Sequence, residues 1–92
     1  MADLKDIRVQ LDSLDNELVK LFLKRMSLSG EVAKIKIRDG LPLVHQGRED
    51  EIINRLTKDL NEDDAEYVKD LYVEIFNISR KKQSRMMEEN NA

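Results

Sequence analysis

Several polar residues stand in this sequence where its helical patterns call for apolar ones. Arg25 fills the heptad position between Leu21 and Leu28. A guanidinium there is costly unless an anion meets it. Lys36 follows 11 residues later, within about 20° of the same helical azimuth and roughly 16 Å along the axis. Two long cationic side chains can therefore lean toward a point between them. Ser79 and Gln83 are an i,i+4 pair bordering Tyr72, Ile75, Phe76 and Met86. Arg48 and Glu49 open a short helical segment just after a loop. Taken singly, each has a plainer use. Arg25 can snorkel to solvent. Lys36, close to Arg38, can be an ordinary cation at a helix C-terminus. Ser79 to Gln83 can be a solvated face, and Arg48 to Glu51 a charged first turn. The argument for a site rests on all of them occurring together in one order.

The elements that must position these residues are helical. Apolar residues recur at Leu4, Ile7, Leu11, Leu14, Leu18, Leu21, Leu28, Val32 and Ile35. That is a heptad seam sustained for about four and a half heptads. With no Pro from Asp3 to Asp39 and Gly30 the only weak link, the spacing predicts one helix of about 35 residues, roughly 52 Å long. Gly40 ends it, with Arg38 in its last turn. A short helix is expected from Arg48 to Leu60, with Ile52, Ile53, Leu56 and Leu60 on its apolar side. Asn61 reads as an N-cap followed by first-turn acids. A third helix is expected from about Asp63 to Glu88, and the polar tail from Glu88 to Ala92 is expected to fray. No strand pattern and no internal repeat occurs. The fold class is all-α: long, short, long.

Composition narrows the functions. The chain has 92 residues, enough for one domain, spanning residues 1–92. It carries 16 Lys+Arg against 19 Asp+Glu, and its 40% apolar and 38% charged content suits a soluble helical protein. With no cysteine, and His45 the only histidine, disulfide scaffolds, thiol catalysis and zinc held by imidazoles are excluded. No apolar run nears the roughly 20 residues of a membrane span, and the N-terminus is no signal peptide, so a cytoplasmic location is expected. Two Phe, two Tyr and no Trp make a thin core for a monomer. Self-association is the expected remedy, because a compact monomer of this size is only about 25 Å across and leaves a long helix projecting.

The polar residues fall in an ordered set. Ile7-Arg8 precedes Leu14-Asp15; Arg25 closes the segment from Leu21 to Arg25; Lys36 closes that from Val32 to Lys36; Pro42 precedes Arg48-Glu49; Ser79 precedes Gln83 by four. In this order, over residues 7–83, the sequence resembles the all-helical AroQ class of chorismate mutase. The resemblance implies a homodimer of intertwined three-helix chains. It also implies an isomerase that converts chorismate to prephenate in the shikimate pathway to Phe and Tyr. This is a unimolecular Claisen rearrangement that needs no metal, cofactor or nucleophile. By resemblance, Lys36 and Gln83 are the catalytic donors to the ether oxygen. Arg8, Arg25, Arg48, Glu49 and Ser79 are the substrate-binding residues. The class carries an Asp in some members where this chain has His45, and a neutral imidazole can still hydrogen-bond a hydroxyl.

Arg8 lies 17 residues before Arg25, roughly 25 Å away and about 100° round one helix, so one straight helix cannot bring both to one small ligand; an antiparallel partner chain can supply Arg8, as the resemblance implies. Two enzymes and two binding modules compete. An isochorismate-pyruvate lyase would use the same scaffold and much the same cations. A non-catalytic helical dimerisation module would make the polar set accidental. A nucleic-acid reading rests on Arg80, Lys81, Lys82 and Arg85 alone. No nucleic acid, membrane or added regulatory domain is expected. The residues leave open whether the chain stands alone or was cut from a bifunctional enzyme.

Overall fold

The computed structural model describes residues 3–91, and they form three helices: α1 (Leu4–Asp39), α2 (Gln46–Thr57) and α3 (Glu62–Asn91). α1 starts on a reciprocal cap. The Asp3 side chain accepts from the Asp6 N–H at 2.9 Å, and the Asp6 carboxylate accepts from the Asp3 N–H at 3.4 Å. It stops at Gly40, the one residue with positive φ among those described (φ 67°). The Gly40 N–H reaches the Ile37 carbonyl and the Leu41 N–H the Lys36 carbonyl, so two carbonyls of the last turn are satisfied. Asn61 caps α3 as its sequence suggests, its side chain accepting from the Asp64 N–H at 2.8 Å.

Three boundaries differ from expectation by two residues or more. α2 ends at Thr57 rather than Leu60, which lies exposed in the following turn with its N–H on the Thr57 carbonyl at 3.0 Å. α2 begins at Gln46, two residues early, because His45 serves as its N-cap. The ring Nδ1 accepts from the Arg48 N–H at 2.9 Å. Helix α3 runs on to Asn91 rather than fraying from Glu88. No helix among the described residues is long and apolar enough to cross a membrane.

α3 packs against both α1 and α2, which do not pack against each other. The buried apolar residues are few: Ala33, Ile52, Ile75 and Phe76. α1 meets α3 through a stripe of small residues, Ser29, Gly30 and Ala33. Gly30 makes the approach close: a Cβ there would sit 3.2 Å from the flexible end of Lys82, which would have to shift by a few tenths of an ångström, and 3.7 Å from Met86 Sδ. Lys82 crosses this junction and donates to the Met26 carbonyl at 2.9 Å. The chain measures 57 × 27 × 14 Å with a radius of gyration of 16.8 Å, against about 12 Å for a compact chain of this length. Its surface of 7486 Å² exceeds by about a third the roughly 5,500 Å² of a compact monomer of its mass. The excess is apolar: all nine seam residues are exposed, Leu4 and Leu21 by 63%.

Candidate active site

Between the second half of α1, α2 and α3 there is an open cleft of about 360 Å³. That volume lies within the range of small-ligand sites. Six of the seven residues singled out from the sequence line it: Arg25, Lys36, Arg48, Glu49, Ser79 and Gln83. They come from three helices and are separated by up to 58 positions in the chain. Arg8 does not join them. It is exposed near the start of α1, away from the cleft.

Arg25 is half-buried, and no carboxylate meets it within the described residues. Its guanidinium carbon instead lies 5.6 Å from the ring centroids of both Tyr72 and Phe76. Those rings pack edge to face at 5.8 Å. The negative ring faces offset the cost of holding this cation in an apolar seam while its N–H groups stay free for an anion. Lys36 Nζ donates to the Leu43 carbonyl at 2.6 Å. This bond fixes the ammonium at the cleft wall and ties down the loop between α1 and α2. Two of its three hydrogens remain for a ligand. Arg48 is more exposed, and pairs with Glu51 one turn on at 2.9 Å.

Gln83 is buried, and its side-chain amide donates to the Ser29 carbonyl at 3.2 Å and to the Ser29 hydroxyl at 2.8 Å. Ser79 is also buried, and its hydroxyl makes only a weak bond to Met26 Sδ at 3.7 Å. A hydroxyl so weakly engaged is available to a better acceptor. His45 lines the cleft too, and because Nδ1 caps α2, the proton of the neutral ring sits on Nε2.

Two polar cleft residues were not singled out from the sequence as site residues. Ser29 looked like an ordinary helical serine, and only the docking of α3 reveals that it holds Gln83. Arg80 looked like part of a basic run. It lines the cleft and pairs with Glu49, while its Nη1 donates to Asn77 at 2.9 Å. With Lys82 bonded to Met26, only Lys81 and Arg85 of that run are exposed.

Four cations facing one carboxylate, on a scaffold of helices alone, make this a helical protein with a site suited to a small polyanion. Its relatives say which kind. The model of the family described as chorismate mutase type II matches residues 7–84. The chorismate mutase of Methanocaldococcus jannaschii is 35% identical over 75 residues, covering 82% of this chain and 74% of that protein. The T-protein of Haemophilus influenzae is 49% identical over 49 residues, 53% of this chain but 13% of that protein. The bifunctional chorismate mutase/prephenate dehydratase of Aquifex aeolicus is 32% identical over 58 residues, 63% of this chain and 16% of that protein. The chain thus aligns with under a fifth of the length of these two longer relatives. No solved structure matches significantly. The chain belongs to the chorismate mutase type II family.

Proposed function

We propose that this chain converts chorismate to prephenate, and does so as a homodimer whose antiparallel α1 helices each lend Arg8 to the partner's cleft. One observation above the rest supports the reading. Six polar residues scattered from Arg25 to Gln83 converge on one cleft in a member of this family. Chorismate is a dicarboxylate containing an allyl vinyl ether. Its rearrangement is unimolecular, so the protein's task is to hold the reactive conformer and to stabilise the negative charge growing on the ether oxygen.

Arg25, held beside the Tyr72 and Phe76 rings, and the partner's Arg8 take the carboxylates as planar forks. Arg48 leaves Glu51 to assist, since a surface pair of this kind holds by only about 0–1 kcal/mol. Lys36 and Gln83 donate to the ether oxygen. Gln83 keeps one N–H on the Ser29 carbonyl and turns the other from the Ser29 hydroxyl to the substrate. Its amide donates without having to be protonated first. Glu49 accepts from the substrate hydroxyl, and Ser79 completes the wall. The exposed seam and the excess apolar surface support the dimer, which also brings Arg8 within reach.

The test is direct. Purified protein added to chorismate is expected to consume its absorbance and yield prephenate, and sedimentation is expected to give twice the chain mass. Chorismate left intact, or salicylate and pyruvate formed from isochorismate in preference, would overturn the assignment.

A further inference from the structure

The proposed site contains a difficulty. Glu49 presents a carboxylate, with its side chain only 14% exposed, to a ligand that is itself a dianion. At close range and low local dielectric, like charges repel strongly. Arg80 answers this. It sits on α3 one residue beyond Ser79, and its Nη2 donates to Glu49 Oε1 across the junction of α2 and α3. Its Nη1 is anchored on Asn77, so the fork is held from both sides. The side chain is itself two-thirds buried, so the attraction between the two charges is screened less than in a surface pair.

We propose that Arg80 is a positioning residue for substrate binding: it neutralises Glu49 and holds one of its oxygens, leaving the other free to accept from the ligand hydroxyl. This rests on the cleft being the chorismate site. Arg80 acts through Glu49 and does not touch the reacting atoms. Its loss therefore weakens substrate and transition state alike, which raises KM and spares kcat.

The experiment compares wild type, Arg80→Met, Glu49→Gln and the double variant by steady-state kinetics on chorismate, with thermal melts as a folding control. Arg80→Met is expected to raise KM about tenfold with kcat within about twofold, the scale of one charge-assisted hydrogen bond. In the Glu49→Gln background the same change is expected to move KM less than about twofold, because no charge is left to neutralise. An equal rise in KM in both backgrounds would show that Arg80 acts on the ligand directly, and would overturn the proposal. An unchanged KM in the single variant would do the same. Should Arg80→Met not fold, Arg80→Lys carries the same cycle, keeping the charge but losing the fork, with a smaller rise again confined to the Glu49 background. Failure of the wild type to consume chorismate is a separate result, and would overturn the assignment of the cleft itself.

Discussion

In the first half of α1, from Leu4 to about Lys24, hardly a side chain is covered: Leu4, Ile7, Leu11, Leu14, Leu18 and Leu21 stand 44–63% exposed. In the second half the same seam continues, and Leu28, Val32 and Ile35 are exposed as well. Yet this half docks on α3, through another face made of Ser29, Gly30 and Ala33. One helix thus carries two faces of opposite design. The docking face is short and small-sided, which lets α3 approach closely enough for Gln83 to reach Ser29 and Lys82 to reach Met26. The seam is long and large-sided, and nothing in its own chain covers it. Burying the exposed half of each seam side chain is worth about 1 kcal/mol apiece. The contrast teaches that the fold within one chain uses one surface of the helix and leaves another uncovered, the one the proposed dimer would bury, and that the cleft is lined from both, by Ser29 and by Leu28 and Val32.

The comparison breaks most readily at Leu18. In a lone chain Leu18→Asp is a surface change, within about 0.5 kcal/mol of neutral. In a seam between two chains it buries an unpaired charge at about 3–5 kcal/mol, twice per dimer, which weakens association by about 10⁴-fold or more. Sedimentation is expected to give a monomer, and activity is expected to vanish with it. A dimer of unchanged mass and activity would mean that the seam faces solvent. The next effect belongs to the other half. Lys36→Ala is expected to lower kcat by about 10²–10³ with little change in KM, the usual cost of one preorganised donor. Near-wild-type turnover in a folded protein would remove Lys36 from the chemistry. A smaller effect sharpens the docking face. Gly30→Ala meets only the flexible ends of Lys82 and Met86, and gains about 1 kcal/mol of helix propensity, so denaturant melts should show stability held or raised by up to about 1 kcal/mol. Gly30→Leu pushes α3 away, and is expected to cost about 1–3 kcal/mol by overpacking. Equal stability of the two would show that α3 does not need its close approach.

How much of this was legible in the sequence follows the same division. The seam, the stop at Gly40 and the cap at Asn61 are local signals, and the structure bears them out. The cleft residues Arg25, Lys36, Ser79 and Gln83 were legible because each interrupts an apolar pattern. Ser29 and Arg80 interrupt none, so their roles exist only once chain segments 31–54 positions apart are brought together. His45 was legible as an oddity and not as a cap, because histidine is not among the residues that usually cap helices. That misplaced the start of α2 by two residues. The aromatic bed under Arg25 was hidden for the same reason as Ser29. Tyr72 and Phe76 read as core on their own helix, and no spacing within α3 says which cation will lie against them.

The finest test asks whether the two halves of α1 serve different clefts. Suppose that Lys36 serves the cleft of its own chain and Arg8 that of the partner. Arg8→Ala and Lys36→Ala homodimers are then each nearly inactive, for each cleft lacks one group. Unfolded together in equal amounts and refolded, the chains pair at random, and half of the dimers are mixed. Each mixed dimer has one cleft missing both groups and one with every group present. About a quarter of all clefts are therefore intact, and activity is expected to return to about a quarter of wild type, fourfold below it. If both residues served the same chain's cleft, every cleft in the mixed dimer would lack one group, and mixing would restore nothing. Recovery near a quarter, with mixed dimers counted by mass, assigns the first half of α1 to the partner. No recovery despite abundant mixed dimers returns Arg8 to its own chain, and leaves the three-helix fold and the cleft as they are.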